Sequence, residues 1–172
     1  MPIRTLAVVS TATLLFTTLF TGSAFAADIS AGAPGEEVDA VPTTGPEVPG
    51  PVNEPSTAAA AALPFTYSFN ICYSLNSRQF TPAGRESRGQ ACVSLRGTGS
   101  DDPNWKGKIV KVLMWDEDGI DGQKGPTVNY TLDGTYYKYC WTGLTVTHPH
   151  HFEIQKPWGP SQLQGNGSAT QS

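Results

Sequence analysis

The chain has 172 residues, enough for one ordinary domain with additional segments, and a formal net charge of −4. Arg4 and the six acidic residues between positions 27 and 62 together contribute −5, so residues 63–172 carry only +1. A nearly neutral domain lacks the basic field that nucleic-acid binding requires. Composition therefore excludes nucleic acid as the expected partner.

Residues 1–26 have the pattern of a secretory signal peptide. Arg4 supplies the positive charge, residues 6–20 form the apolar core, and Ala24 and Ala26 occupy the small-residue positions before the cleavage site. The apolar run is short for a membrane span, and no later segment is apolar enough for one. We therefore expect a secreted, extracellular protein with no membrane span.

Residues 27–62 differ in composition from the rest of the chain. They contain six prolines, only acidic charges and no aromatic residue, so they have little apolar surface to bury. This composition predicts a disordered acidic, Pro-rich tether or pro-segment. Residues 63–160 are then the folded domain, and the polar residues 161–172 are predicted to be a disordered tail.

Strands are predicted wherever large apolar and small polar side chains alternate. Residues 65–75 alternate in this way, and residues 108–115 are almost continuously apolar, which is typical of a central strand. Asp133-Gly134 predicts a two-residue hairpin. Further predicted strands are 91–96, 127–132, 135–142 and 150–156. Six to seven short strands predict an all-β protein, a small antiparallel β-sandwich (immunoglobulin-like) or a small barrel.

The three cysteines, Cys72, Cys92 and Cys140, fall on the more polar faces of their predicted strands. Consecutive strands are usually neighbours, so the expected disulfide is Cys72–Cys92. Three cysteines cannot all pair within one chain. The odd cysteine then leaves two alternatives open, a monomer or a dimer linked through it.

The run from Asp133 through Tyr137 to Cys140 resembles the tyrosine corner of immunoglobulin domains. In that motif the cysteine follows two residues after the tyrosine and six after the aspartate. Cys140 comes one residue later, and a shift of one residue moves a side chain to the other face of its strand. The resemblance implies an immunoglobulin-like architecture but does not place Cys140 in the core.

Two stretches contain residue types that bind metals. The loop 116–122 offers three carboxylates suited to calcium, although their spacing does not fit an EF-hand: Asp116, Asp118 and Asp121. His148 and His150 share one face of an extended chain and suit zinc or copper, but a closed site needs three or four ligands. The alternatives are a solvated hairpin loop and an exposed turn. No cofactor is expected apart from calcium at 116–122.

Aromatic residues supply the candidate binding surface. Strand 135–142 is bulky on both faces, so one face is expected in the core. The other, with Tyr136 and Lys138, is a candidate platform for sugars or proteins, as is Trp105. The alternative is that these aromatic residues serve packing alone.

No catalytic motif of the Gly-x-Ser-x-Gly or His-Glu-x-x-His type occurs in the sequence. We therefore expect a secreted non-enzymatic module that binds an extracellular polysaccharide or protein. One alternative is an extracellular protease inhibitor, since trypsin-like enzymes bind a basic side chain held in a pre-ordered loop. The loop 76–90 presents three such side chains: Arg78, Arg85 and Arg88. A third hypothesis is a small secreted hydrolase with no recognisable motif.

Overall fold

The computed structural model describes residues 33–45, 61–84, 88–118 and 122–171. Within these ranges all regular elements are β-strands. The described part of the chain contains no helix of the length and apolarity needed to cross a membrane. In chain order the strands are β1 (Glu37–Asp39), β2 (Val41–Thr43), β3 (Ala61–Ala62), β4 (Phe65–Ile71), β5 (Ser74–Asn76), β6 (Phe80–Thr81), β7 (Gly89–Ser100), β8 (Lys108–Asp116), β9 (Gly122–Gln123), β10 (Thr127–Leu132), β11 (Tyr136–Leu144), β12 (His150–Gln155) and β13 (Leu163–Thr170).

The described strands form two sheets, which confirms an all-β sandwich. Sheet A has the order β1-β10-β8-β12-β6-β3, with β5 also paired to β12 and β9 to β8. Sheet B has the order β2-β11-β7-β13-β4, and all its pairs are antiparallel. In sheet A only the short edge pairs, β1 with β10 and β3 with β6, are parallel.

The six predicted strands correspond to β4, β7, β8, β10, β11 and β12. The predicted burial of Ala91, Val93 and Leu95 in β7 is confirmed, but Cys92 and Ser94 on the other face of this strand are buried as well. The central position predicted for β8 is also confirmed by its pairing with β10 and β12. The predicted strand 65–75 is interrupted: β4 ends at Ile71, Tyr73 is 65% exposed, and the chain continues as β5 in the other sheet.

Two tyrosine hydroxyls connect elements inside the core. Tyr130 of sheet A is fully buried, and its hydroxyl donates to the carbonyl oxygen of Val93 in sheet B at 2.8 Å. Tyr67 donates to the carbonyl oxygen of Ser94 at 3.0 Å. Because a buried hydroxyl without a partner is unfavourable, these bonds allow both rings to lie between the sheets.

The hairpin predicted at Asp133-Gly134 is wrong. The turn exists, with φ +94° at Gly134, but it joins β10 of sheet A to β11 of sheet B. The two strands follow each other in sequence and pair with different neighbours, β8 and β7. Tyr137 donates its hydroxyl to Asp133 Oδ2 at 3.0 Å, which holds this turn between the sheets.

The tail predicted to be disordered contains a strand. β13 lies in sheet B between β7 and β4, hydrogen-bonded to both. Two of its core-facing residues are glycines, and a methyl group at either would overlap its neighbours, Phe69 at Gly165 and Tyr67 at Gly167. The aromatic side chains of β4 thus cover the backbone of β13, which is why a segment whose only large apolar residue is Leu163 belongs to the core.

The tether predicted for residues 27–62 is also corrected where it is described. β1 and β2 are separated by one buried residue, Ala40, and pass from the edge of sheet A to the edge of sheet B. Glu37 pairs with Lys111 at 2.5 Å. Residues 37–43 therefore belong to the sandwich, whereas residues 1–32 and 46–60, including the predicted signal peptide, lie outside the described residues.

The disulfide prediction is wrong because of the strand order. Cys92 bonds to Cys140, and Cys72 is a free thiol. The prediction assumed that the segment containing Cys72 neighbours β7, but β13 separates β4 from β7. Cys140 lies on the same face of β11 as Tyr136 and Lys138, which is the face of the strand where the sequence placed it.

Candidate functional site

The two stretches with metal-binding residue types lie together at one end of sheet A. Asp116 ends β8, His150 begins β12, and the two residues are directly paired. His148, in the turn before β12, places Nδ1 3.0 Å from Asp116 Oδ1. Strand pairing thus unites two separate candidate sites in one cluster.

Asp116 is the centre of this cluster and is 2% exposed. Its Oδ1 accepts from the Asp118 amide at 3.1 Å, and Lys124 Nζ lies 3.1 Å from its Oδ2. Burial raises the pKa of Asp116, but the bonds from Asp118, His148 and Lys124 together outweigh it and lower the pKa from its ordinary value. Asp116 is therefore an ionised carboxylate well supplied with donors.

His150 is fully buried beside this carboxylate. Its Nδ1 donates to the backbone carbonyl of His148 at 2.9 Å. Its Nε2 has no hydrogen-bond partner and lies 3.9 Å from Asp116 Oδ2. Burial lowers the pKa of His150, so the imidazole is neutral at pH 7.

Among the described residues, no group of three or more His, Cys, Asp or Glu side chains is arranged to hold a metal ion. Asp118 Oδ2 is 3.7 Å from His148 Nε2, and Asp121 lies outside the described ranges. Lys124 already supplies a positive charge at Asp116. Calcium at 116–122 and zinc or copper at the histidines stay predictions, without a ligand set in the described part of the chain.

The Asp116–His148 pair has the contact by which a carboxylate orients a catalytic imidazole. In a catalytic pair the other imidazole nitrogen faces a hydroxyl or thiol that it activates. In the described ranges the side chain near His148 Nε2 is instead the carboxylate of Asp118. The pair gives the hydrolase hypothesis no nucleophile.

No Cys72–Cys92 disulfide closes the loop 76–90 and holds it in a fixed shape for a protease, because Cys92 bonds to Cys140. Phe80 anchors part of the loop in the core as a member of β6. Arg88 is exposed, and Arg85 lies outside the described residues. Arg78 folds back on the domain, with its guanidinium carbon 4.0 Å from the centroid of the Phe65 ring.

The predicted aromatic platform is divided between two places. Tyr136 and Lys138 share the outer face of sheet B, where the Tyr136 hydroxyl donates to Asn166 Oδ1 at 2.7 Å and Arg96 covers the ring at 4.6 Å. Trp105 packs against the core, next to Gly97. These side chains do not form one binding surface.

A different aromatic pair forms an open cleft on the outer face of sheet A. Trp115 on β8 is directly paired with His151 on β12, and their ring planes are 15° apart with centroids separated by 6.5 Å. The Glu117 carboxylate contacts His151 Nδ1, and Glu153 and Asn76 are paired across β12 and β5. We call this the Trp115 cleft. Its volume is about 280 Å³ for molecules the size of water, or about 550 Å³ including open solvent, and it is lined by Asn76, Trp115, Asp116, Glu117, His151 and Glu153.

The sequence contains a signal for this cleft that its interpretation missed. In β8 the buried residues Val110, Val112 and Met114 occupy even positions, so Trp115 falls on the opposite face. A large aromatic residue on the solvent side of a central strand has to be explained by contacts other than those of the core. Strand order was needed to place it beside His151.

A narrow slot lies between the edges of the two sheets, on the other side of sheet A from the Trp115 cleft. Its volume is about 410 Å³ including the open mouth, of which about 30 Å³ is free for molecules the size of water. The apolar walls come from Phe65, Tyr67, Leu75, Phe152 and Ile154, and the polar lining comes from Ser68, Asn76, Ser77 and Arg78. We call it the Arg78 slot. Asn76 lines both the slot and the Trp115 cleft.

No protein-family model matches the sequence, and no curated protein is similar to it at a significant level.

Proposed function

We propose that the protein is a secreted, non-enzymatic module that binds an extracellular glycan in the Trp115 cleft. The observation that carries the proposal is the pair of nearly parallel rings, Trp115 and His151, flanked by hydrogen-bonding side chains. A pyranose ring presents an apolar C–H face, which packs on an aromatic ring, and hydroxyl groups, which need polar partners. The cleft offers both kinds of contact.

The position of the cleft on hydrogen-bonded strands also supports binding. Trp115, His151 and Asn76 belong to β8, β12 and β5, which are paired in sheet A. A site built on paired strands is held in shape before the ligand arrives, which lowers the entropy cost of binding.

The disulfide and the N-terminal sequence support an extracellular ligand. The Cys92–Cys140 disulfide is of a kind that persists in oxidising compartments, and residues 1–26 have the composition of a signal peptide. In the described residues, His148 Nε2 faces the Asp118 carboxylate rather than a hydroxyl or thiol.

Affinity electrophoresis in gels containing neutral or acidic polysaccharides tests the proposal. We expect at least one polymer to retard the wild-type protein, and Trp115→Ala to weaken that binding by about tenfold or more, equivalent to about 1.4 kcal/mol. Tyr73→Ala is the matched control, because Tyr73 is an exposed aromatic residue outside the cleft. Thermal melting of each variant verifies its fold.

Two results would contradict the proposal. One is the absence of retardation by every polysaccharide, which would favour a protein partner. The other is an equal loss of binding in Tyr73→Ala and Trp115→Ala, which would place the glycan elsewhere on the molecule.

A further inference from the structure

The outer face of sheet B contains an open groove over β4, β7 and β13. Its volume is about 610 Å³ for molecules the size of water, more than twice that of the Trp115 cleft by the same measure. The three strands are hydrogen-bonded to one another, so the groove is held in shape before a ligand arrives. Five polar side chains line it: Ser68, Asn70, Thr98, Gln164 and Asn166. We call it the Asn166 groove.

An irregular pairing of β7 with β13 lies at the side of this groove. Gln164 is paired with Gly99 and the next residue, Gly165, with Gly97, so Thr98 is an additional residue in β7. A β-bulge of this kind bends its strand and increases the local twist. Thr98 is exposed at this bend and lines the groove.

The Asn166 groove is uncharged. None of the described residues that line it is acidic or basic, and its exposed side chains are amides and hydroxyls. Arg96, the preceding outward residue on β7, is directed elsewhere: its guanidinium carbon lies 4.6 Å from the centroid of the Tyr136 ring. A charged ligand would lose water in the groove without gaining a counter-ion, so a neutral ligand is favoured.

Two amides in the groove have defined roles as donor and acceptor. Asn166 Oδ1 accepts from the Tyr136 hydroxyl at 2.7 Å and from Arg96 Nε at 3.3 Å. Both bonds use the oxygen, so Nδ2 keeps its hydrogens for a ligand. Asn70 donates Nδ2 to Gln162 Oε1 at 3.4 Å, which leaves its Oδ1 as an acceptor.

The spacing of these two amides suits a sugar chain. Asn70 is paired with Gln164, and Asn166 is two residues further along β13. Diagonal neighbours of this kind are about 7–8 Å apart, so one disaccharide reaches both. A sugar hydroxyl donates and accepts, and therefore satisfies either amide. A protein partner would need apolar or aromatic anchors, whereas the exposed side chains that line the groove are all polar.

We propose that the Asn166 groove is a second binding site, and that its ligand is a neutral polysaccharide. This inference goes beyond the proposed function, because the groove lies on sheet B and the Trp115 cleft on sheet A. The outer faces of the two sheets in a sandwich point in opposite directions. A molecule with both sites links two glycan chains, and within a polymer network each site strengthens binding at the other.

Affinity electrophoresis of the full chain in gels containing xylan, galactomannan or hydroxyethyl cellulose tests the proposal. The background is Trp115→Ala, in which the cleft is disabled, and we expect at least one of these neutral polymers still to retard it. Adding Asn166→Asp replaces the Nδ2 donor and keeps the oxygen that Tyr136 and Arg96 need. We expect this change to weaken the remaining binding by about threefold to tenfold, the range for one neutral hydrogen bond. Asn104→Asp is the matched control, because Asn104 is exposed outside the groove.

A second variant guards against a fold defect in Asn166→Asp. Asn70 and Gln164 are both exposed, so Asn70→Ala/Gln164→Ala should remain folded and weaken the same binding. Thermal melting verifies the fold of each variant. Carboxymethyl cellulose is the charged counterpart of hydroxyethyl cellulose, and we expect it to retard the Trp115→Ala protein less.

The outcomes separate the groove from the cleft. If no neutral polymer retards Trp115→Ala, or if neither groove variant weakens that retardation, the groove proposal is wrong and the cleft is unaffected. If carboxymethyl cellulose binds as strongly as hydroxyethyl cellulose, the assignment of a neutral ligand is overturned. If the groove variants weaken binding and Trp115→Ala alone does not, the groove stands and the proposed function fails.

Discussion

Cys92 and Cys140 lie directly opposite each other on β7 and β11, with their Cα atoms 3.9 Å apart, and are joined by a disulfide on the outer face of sheet B. The bond connects two strands that are already hydrogen-bonded neighbours. In the unfolded chain it closes a loop between residues 48 positions apart. Its main contribution to stability is therefore expected in the unfolded state.

Replacing both cysteines by alanine should lower the free energy of unfolding by about 2–4 kcal/mol, the range for loops of this length. Urea denaturation of the double variant measures it. Cys72→Ala serves as the control, because Cys72 is free and no loop closure is lost. An equal loss in both variants would argue against this disulfide.

Gly167→Ala should destabilise the protein by about 1–3 kcal/mol or more, the cost of overfilling a packed core. A methyl group there would overlap the carbonyl oxygen of Ser94 and the Tyr67 ring. Gly99→Ala in the paired strand is the control, since its methyl group would meet only Gln164 Oε1 at 3.9 Å. Thermal melting compares the Gly167→Ala and Gly99→Ala variants. Equal melting temperatures of the two variants would be inconsistent with β13 lying beneath Tyr67.

Ala40→Glu should destabilise the sandwich by about 2 kcal/mol, because it forces a charge into the buried position between β1 and β2. Val41→Glu should change stability by less than about 0.5 kcal/mol, since Val41 is 62% exposed. Chemical denaturation of the two neighbouring variants measures the difference. If Ala40→Glu is as stable as Val41→Glu, residues 37–43 do not belong to the folded domain.

Stability should decrease as the pH falls below about 6.5, the ordinary pKa of histidine. Burial lowers the pKa of His150 in the folded protein. At pH values between this lowered pKa and the ordinary pKa, His150 is protonated in the unfolded protein but not in the folded protein, so a fall in pH favours unfolding. The contribution of neutral His150 to the free energy of unfolding is complete above about pH 6.5. It is lost as the pH falls towards the lowered pKa that His150 has in the folded protein. Lys124 and His148 oppose the added charge, and Asp116 favours it.

Denaturation at pH 7.5 and pH 5.0 measures this effect. The lowered pKa of Asp116 keeps its own contribution intact over this range, since that contribution is lost only as the pH falls through the folded pKa. His150→Asn should show a smaller difference between the two pH values than the wild type. An unchanged difference would mean that other groups cause the pH dependence.

Much of the fold could be predicted from side-chain alternation. In β10 and β12 every second residue is buried between the sheets, and a period of two is a local property that a single sequence displays. The sequence does not display which strands become neighbours. Asp133-Gly134 has the chemistry of a hairpin turn, yet its flanking strands enter different sheets.

Two predictions, the disordered tail and the Cys72–Cys92 disulfide, were wrong for one reason, which is the presence of β13 in sheet B. The glycine-rich residues 163–170 have no apolar alternation, because the bulk that fills their part of the core comes from Phe69 and Tyr67 on β4. Missing this strand left β4 and β7 as apparent neighbours and made Cys72–Cys92 the expected disulfide. The Trp115 cleft escaped prediction for a related reason, because Trp115, His151 and Asn76 come from three strands that only the sheet order brings together.

The position of β13 also bears on the order of synthesis. β4 is made early, but its only partner in sheet B within the described residues is β13, the last of the described strands to leave the ribosome. Sheet B therefore cannot close until β13 has been made, and its pairings span most of the domain, which makes folding slow. Such a chain remains open long enough to be threaded through a secretion pore, which suits the export that we propose.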